Sequence, residues 1–421
     1  MKGKKWIERV RVKSILISLI VFVLGSGALL GFIFVSASMD SDRARQHVAE
    51  AFADSTLVPG AYREIELIPG FIVMESDNFS TCVMLSQMLA PSATVFAEGE
   101  WGVTGGVDCA SLEEAVTGGT TQQTSWYRYW HGASAISKVV LTVMSVQAFQ
   151  VVLTVVLAVL LIAVIASVYR VSAPLGVGVA FVLIGTSDLA WQGLSLVHGV
   201  SSSVGLLGVL MVLFAFKKNW AARWGIAALA GFIYASTAQM LTPIAFAILS
   251  AVFAMLPLLL NSASAWSAAR GLGVGVLWII GYGAGLASRY LWVATMGPGL
   301  EQIRGELTGS AQGIYMTTSA IQPFHQLVGL VMKTWLGVGW MQVGLMMTFG
   351  VMGWFVAKGA LGGLLNRQVA LSLTPILLGV GWLILWAGHT NHTFVHVLLS
   401  AMVVNLLFTL DYARRLPSMS E

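Results

Sequence analysis

Charged side chains are too scarce in this chain to cover the surface of a soluble protein. Only 10% of its 421 residues are Asp, Glu, Lys or Arg, 57% are hydrophobic, and the mean hydropathy is +0.81. Apolar runs of about 20 residues, enough to cross roughly 30 Å of hydrocarbon, recur along most of the sequence. The composition therefore excludes a soluble globular protein and predicts an all-α integral membrane protein.

The apolar runs predict about ten transmembrane helices. They cover residues 14–36, 143–168, 174–197, 201–216, 224–240, 243–262, 269–294, 337–357, 369–388 and 393–410. The expected organisation is a basic N-terminus (1–13), a first helix (14–36), a small extracytoplasmic domain in the first outer loop (37–135), a bundle of about nine helices (136–411) and a tail (412–421). The first run is longer than the apolar core of a signal peptide, which favours an uncleaved anchor.

The basic residues predict the orientation. Six precede the first apolar run, and nine more fall in short loops on the same side: Lys2, Lys4, Lys5, Arg9, Arg11 and Lys13, then Arg170, Lys217, Lys218, Arg223, Arg270, Lys358, Arg367, Arg414 and Arg415. By the positive-inside rule we expect both termini to lie in the cytoplasm. All seven histidines then fall at the outer face, together with thirteen of the nineteen acidic residues in segment 37–135. We therefore expect any chemistry at the extracytoplasmic face.

Cysteine is nearly absent. The two copies, Cys82 and Cys109, lie in the same outer segment. An oxidising compartment favours their pairing, and closing a loop of that length stabilises the folded state by roughly 3–4 kcal/mol on the chain-entropy model. The sequence predicts a disulfide.

The outer segment also has local structure signals. Asp40 and Asp42 follow the first helix directly, and residues 41–53 have the apolar spacing of an amphipathic helix lying near the membrane interface. Asp77 and Ser80 precede an apolar run, which is typical of a helix start. Residues 101–124 are rich in Gly and Thr and predict a loop.

Residues 126–132 (WYRYWHG) stand just before the second apolar run. One interpretation is an aromatic belt at the depth of the lipid head groups. Arg128 and His131 lie three residues apart, on one helical face, and could together bind a phosphate head group. Both readings stay open.

Three further histidines lie at the start of the last run. His389, His392 and His396 are spaced to share one helical face, so two of them could share a divalent metal, the only cofactor that the sequence suggests. Hydrogen bonding to a phosphate and simple interfacial polarity are the alternatives. Asp188 is the one acidic residue in the middle of an apolar run. It is either a functional carboxylate or a buried one bonded to Trp191, Gln192 or the backbone.

Three short motifs carry a resemblance. Residues 128–132 (RYWHG), residues 391–393 (NHT) with His396, and residues 77–81 (DNFST) resemble motifs of an uncharacterised family of bacterial polytopic membrane proteins found with surface-polysaccharide genes. Cys82 departs from the family pattern, because a second carboxylate would be expected there. The layout also resembles the GT-C glycosyltransferases, polytopic enzymes with an acidic residue in the first outer loop.

The resemblance implies transfer of a sugar from a polyprenyl-phosphate donor to a saccharide acceptor. Asp77 would deprotonate the acceptor hydroxyl, with Asp40 and Asp42 as reserve candidates. The remaining candidates would contact substrate or phosphate: Arg128, His131, Asp188, Asn391, His392 and His396. The residues point the same way, because the cytoplasmic loops are too small for a nucleotide-binding domain and a donor outside the cell must already be lipid-linked. We expect membrane lipids as partners and no nucleic acid.

Other function classes remain open. A transporter or flippase of lipid-linked saccharides would be expected to have inverted repeats and several intramembrane charges, of which the sequence suggests only Asp188. A membrane acyltransferase would need a histidine reachable from a cytoplasmic donor. A non-catalytic component of a polysaccharide assembly machine is the fourth alternative.

Overall fold

The computed structural model describes residues 2–60, 62–68, 72–89, 100–102, 108–118, 123–125, 130–187, 189–215, 220–238, 243–260, 265–296, 339–363, 367–385 and 394–416. Over these ranges the protein is a helical bundle that carries a small mixed domain. Six helical segments are long and apolar enough to cross a membrane: Leu19–Ala37, Val146–Tyr169, Leu196–Phe214, Ala269–Thr295, Trp340–Ala357 and His396–Ala413. The prediction of a helical membrane protein is thus confirmed.

The N-terminal third contains the first long helix and the small domain. Its elements are α1 (Lys2–Ala37), α2 (Asp42–Ala53), β1 (Tyr62–Ile68), β2 (Ile72–Asp77), α3 (Asn78–Leu89), β3 (Glu100–Gly102), α4 (Cys109–Val116), β4 (Gln123–Ser125) and α5 (Gly132–Leu141). β1 pairs with β2 and β3 with β4, both antiparallel, with Tyr62 opposite Asp77 and Glu100 opposite Ser125. We call the described residues from α2 to α5 the loop domain.

The rest of the described chain forms the bundle. Its elements are α6 (Val146–Tyr169), α7 (Ala173–Gly185), a 3₁₀ helix (Leu189–Leu194), α8 (Leu196–Phe214), α9 (Trp220–Thr237), α10 (Pro243–Ala254), a second 3₁₀ helix (Leu256–Leu259), α11 (Ala265–Met296), α12 (Gly339–Ala357), α13 (Ala360–Gly363), α14 (Arg367–Ser372), α15 (Thr374–Leu385) and α16 (Phe394–Ala413). α9 and α11 cross in backbone contact, since a Cβ on Gly281 would lie 1.9 Å from the carbonyl oxygen of Ala228. Small residues allow such close crossings in membranes.

Two segments of the loop domain refine the sequence expectations. The helix predicted at 41–53 is present as α2, and its apolar face, with Val48 and Phe52, packs into a protein core that includes Leu85 and Phe149. The loop predicted over 101–124 is wrong in part, because α4 forms within it. The Asp108 side chain caps α4 by accepting a hydrogen bond from the backbone N–H of Ser111, which offsets the low helix propensity of the flanking residues.

The apolar run 174–197 is not one helix, contrary to the prediction. α7 ends at Gly185, where the Thr186 and Ser187 hydroxyls donate to the carbonyl oxygens of the preceding turn. The 3₁₀ helix then lies against α6, so closely that a Cβ on Gly193 would lie 2.5 Å from the backbone nitrogen of Thr154. α8 consequently begins at Leu196 rather than at 201, which places Ser195 and His198 at its N-terminal end.

The loop domain sits on one end of the bundle. The Lys138 ammonium of α5 donates to the carbonyl oxygen of Ala37, the last residue of α1, at 3.1 Å. Trp130, just before α5, donates from Nε1 to the carbonyl oxygen of Gly285 in the C-terminal part of α11, also at 3.1 Å. α3 contacts the start of α8. We call this end of the bundle, formed by the C-terminal ends of α1 and α11 and the N-terminal end of α8, the domain face.

Candidate functional site

Asp77 lies at the junction between β2 and α3, where its side chain caps the helix. The backbone N–H of Ser80 donates to Asp77 Oδ1 at 2.8 Å, and the Ser80 hydroxyl donates to Oδ2 at 2.7 Å. A carboxylate at a helix N-terminus also interacts favourably with the positive end of the helix dipole. The helix start predicted from residues 77–80 is confirmed, and it fixes the direction of this carboxylate.

The partner of Asp77 is His198, in the first turn of α8. His198 Nε2 lies 3.0 Å from Asp77 Oδ2, and the side chains of His198 and Asp77 are only 6% and 10% exposed. The contact joins residues 121 positions apart. It therefore places a buried carboxylate–imidazole pair where the loop domain meets the bundle. We call it the Asp77–His198 pair.

Two hydroxyl groups hold the backbone beneath the pair. Thr81 Oγ1 lies 3.0 Å from the Asp77 carbonyl oxygen and 3.0 Å from Ser195 Oγ, and Ser195 Oγ lies 3.2 Å from the same carbonyl oxygen. Each hydroxyl has one hydrogen, so one of the two donates to the carbonyl and the other either does the same or donates to its neighbour. Thr81 belongs to α3 and Ser195 precedes α8. The network thus fixes the two elements that carry the pair relative to each other.

The surroundings of Asp77 keep its carboxyl group ionised. Burial raises the pKa, but the hydrogen bond and charge of His198 and the two hydrogen bonds from Ser80 together lower it below the usual 3.8. A group with a lowered pKa stabilises the fold at pH values above its unfolded-state pKa, and this contribution is lost as the pH falls through the folded-state value. At neutral pH, therefore, His198 faces a full negative charge.

The predicted disulfide is confirmed beside this site. Cys82 and Cys109 are bonded, with their Cα atoms 5.2 Å apart, and both side chains are fully buried. The bond ties the first residue of α4 to the second turn of α3. It restrains the same helix that Asp77 caps.

His131 lies at the other end of α3. Its Nδ1 is 3.1 Å from Gln87 Oε1, which also accepts a hydrogen bond from the Ser134 hydroxyl at 3.0 Å. Gln87 is ten residues beyond Asp77, a distance of roughly 15 Å along a helix. Asp77 and His131 therefore contact opposite ends of α3 and do not form one site. His131 is also one of two described non-glycine residues with positive φ, at 61°.

The remaining candidates fall into three groups. Asp40 and Asp42 are exposed at the start of α2, where Asp40 Oδ1 accepts a hydrogen bond from the Asp42 backbone at 3.1 Å. His396 is buried in α16, beside residues of the bundle core. The last group lies outside the described residues: Arg128, Asp188, His389, Asn391 and His392.

No group of three or more His, Cys, Asp or Glu within the described ranges is arranged to hold a metal ion. The proposed metal site at His389, His392 and His396 has only its last member in those ranges, so it stays a prediction. At the domain face, the described residues form a charge-assisted cluster. It consists of the Asp77–His198 pair and the hydrogen bonds from Ser80 to Asp77.

Sequence reasoning missed three residues. The sequence predicts no partner for His198, and Ser195 falls within the run 174–197, which predicts a continuous helix. The third is Arg289, for which the sequence analysis predicts no role, although it is buried in α11 with its Cζ 5.3 Å from the ring centre of Trp130. The available signal for Arg289 is its position inside the apolar run 269–294, three residues before Trp292.

Comparison with known proteins identifies no family for this chain. No protein-family model matches the chain, and neither a curated protein nor a solved structure matches it.

Proposed function

We propose that this chain is a membrane glycosyltransferase with a GT-C-like layout, which transfers a sugar from a polyprenyl-phosphate donor at the domain face in cell-surface polysaccharide synthesis. The observation that carries the proposal is the buried Asp77–His198 pair at the junction of the loop domain and the bundle. A carboxylate in the first outer loop, close to the membrane helices, is the arrangement that this layout requires.

The pair supports a base for the acceptor hydroxyl. In the proposed reaction the acceptor oxygen attacks the anomeric carbon, the bond from that carbon to the phosphate oxygen breaks, and the hydroxyl proton passes to the enzyme. Asp77 alone is a weak base, because its pKa lies below 3.8. The His198 imidazole, which Asp77 holds at 3.0 Å, is the proposed proton acceptor, since histidine is the side chain that most often serves as a general base. Asp77 would fix the orientation of the ring.

Burial supports a functional rather than a purely structural role for the pair. Taking a carboxylate and an imidazole out of water costs several kcal/mol, and buried ion pairs seldom stabilise more than apolar residues of the same size. Perturbed carboxylates in contact with a specific partner cluster at functional sites. The network of Thr81 and Ser195 supplies the rigidity that such a site needs.

We further propose that the domain face is extracytoplasmic and that about ten helices cross the membrane. The support comes from helix directions. α1 and α11 reach the domain face with their C-terminal ends and α8 with its N-terminal end. An even number of crossings must then separate α1 from α8, so α7 crosses together with α6. α9 also reaches the domain face with its C-terminal end, since a Cβ on Gly132 of the loop domain would lie 2.8 Å from Thr237 Cα, and α10 must then cross back for α11 to start at the opposite face. Adding α12, α15 and α16 gives ten, with both termini in the cytoplasm of a bacterial cell.

Labelling with a membrane-impermeant maleimide tests this orientation. Thr117→Cys, exposed after α4, should react in intact cells, whereas Arg170→Cys, exposed at the other end of α6, should react only after permeabilisation. The native cysteines form a disulfide and do not interfere. Labelling of Arg170→Cys in intact cells would reverse the assignment of faces.

The function itself is tested by reconstituting the wild-type protein in lipid nanodiscs with a panel of polyprenyl-phosphate sugars. We expect release of polyprenyl phosphate and appearance of the sugar on a saccharide acceptor, and no reaction with nucleotide sugars. A catalytically silent protein that moves lipid-linked saccharide across a liposome membrane would instead be a transporter. Inactivity in both assays would favour the assembly-component alternative.

A further inference from the structure

Arg289 is a buried cation in the membrane part of the protein. It lies in α11 with 3% of its surface exposed, and its guanidinium faces the Trp130 ring at 5.3 Å. Trp130 is itself fixed, because its Nε1–H donates to the Gly285 carbonyl oxygen at 3.1 Å and to the Ser288 hydroxyl at 2.9 Å. The cation therefore has a defined position rather than a mobile one.

Aromatic rings from three elements surround this position. The ring centres of Phe34 in α1 and Trp292 in α11 lie 6.3 Å and 6.1 Å from that of Trp130, and 5.4 Å from each other. We call Phe34, Trp130 and Trp292 the aromatic cluster. Neighbouring side chains of the same helices are turned outward, with Val35 and Leu291 both 66% exposed. In a membrane, apolar side chains with this exposure face lipid, so the cluster lies next to acyl chains.

The depth of Arg289 matches that of lipid phosphates. The apolar part of α11, Ala269–Thr295, has 27 residues and is therefore roughly 40 Å long, which spans the hydrocarbon core and part of both head-group layers. Arg289 lies six residues before its end, or roughly 9 Å along the axis. This is close to the boundary between hydrocarbon and head groups at the domain face, where Trp residues are also enriched.

We propose that Arg289 and the aromatic cluster bind an anionic lipid through its phosphate. An arginine in a membrane span is costly and marks a functional site by default, and its planar guanidinium matches phosphate oxygens with two parallel hydrogen bonds. The Trp130 ring that faces the guanidinium restrains that fork, while the partly exposed rings of Phe34 and Trp292 contact the lipid chain. Charge complementarity at head-group depth selects a lipid with a net negative charge on its phosphate over a zwitterionic or neutral lipid.

The site is separate from the Asp77–His198 pair. Trp130 precedes His131, which contacts Gln87 near the C-terminal end of α3, whereas Asp77 caps the N-terminal end of the same helix, roughly 15 Å away. A phosphate on Arg289 is thus not in contact with the proposed base. The inference goes beyond the proposed function, because the lipid would bind here whether or not the protein transfers sugar.

The test measures binding of radiolabelled polyprenyl monophosphate to the full-length protein in phosphatidylcholine nanodiscs. Arg289→Gln should weaken binding by about 10- to 100-fold, as expected for loss of hydrogen bonds to a charged group. Arg270→Gln, an exposed arginine near the other end of α11, is the matched control and should bind like the wild type. Arg289→Lys keeps the charge without the fork and should bind about 3- to 10-fold more weakly than the wild type.

Competition distinguishes the sources of the phosphate. Displacement of the label by phosphatidylglycerol at similar concentrations supports a general anionic-lipid site, and displacement by polyprenyl phosphate alone supports a site for that lipid class. Displacement by inorganic phosphate as effectively as by either lipid would overturn the lipid proposal. The lipid proposal would also be overturned if either Arg289 variant bound polyprenyl monophosphate with the affinity of the wild type. If Arg289→Gln does not fold, the affinity of Arg289→Lys is the deciding measurement.

Discussion

Asp77→Asn should lower the rate of sugar transfer by about 10²–10⁴-fold, the usual contribution of general-base catalysis, because it disturbs the orientation of the proposed base His198, while the protein still folds and inserts. Asparagine has the size of aspartate, and its amide oxygen can still accept the hydrogen bond from the Ser80 backbone. The amide lacks the negative charge that holds the His198 imidazole at 3.0 Å. The measurement is release of polyprenyl phosphate from a labelled donor by the reconstituted variant.

His198→Gln should cause a loss of the same order, and the double variant should be no worse than either single one. Groups that act as a unit are strongly non-additive, so additive losses would show that the two residues act independently. Glu114→Gln is the matched control, because Glu114 is an exposed acid of the same domain that is not a candidate for the base. Full activity in Asp77→Asn together with loss in Asp40→Asn or Asp42→Asn would move the base to the start of α2.

Removal of the disulfide should destabilise the loop domain by roughly 3–4 kcal/mol, the chain-entropy value for a closed loop of this length. Cys82 and Cys109 are 27 residues apart and join α3 to α4, so the double change Cys82→Ala and Cys109→Ala frees α4 from the helix that Asp77 caps. We expect a lower midpoint of urea unfolding and faster proteolysis between residues 103 and 122.

Reductant provides the internal control for this prediction. Dithiothreitol should destabilise the wild-type protein to the level of the double variant and should leave the double variant unchanged. An unfolding midpoint that is the same with and without the bond would show that the apolar core around Leu85 and Leu112 holds the loop domain by itself.

The class of this protein follows from its sequence alone. With 10% charged residues and apolar runs of about 20 residues, the chain favours helices in a membrane, because a helix pairs its backbone groups within each run and unpaired groups are too costly in hydrocarbon. The start of α3 at Asn78 was also predictable, since a capping interaction depends only on residues three positions apart. The disulfide was predictable for a different reason, as the two cysteines share one segment and have no other partners in the chain.

The tertiary structure decided which groups meet. Hydropathy averaged over the run 174–197 concealed the break at residues 186–195, because strongly apolar residues flank the polar ones there, and the hydroxyls of Thr186 and Ser187 end α7 through local bonds. Asp77 and His198 lie 121 positions apart in the sequence. Trp130 and Arg289 also come from distant segments, since Trp130 precedes α5 and Arg289 lies in α11. Such contacts depend on how helices pack side by side, which periodicity along one segment does not encode. Sequence therefore determined the membrane class and the local helix starts, and packing alone determined the candidate site.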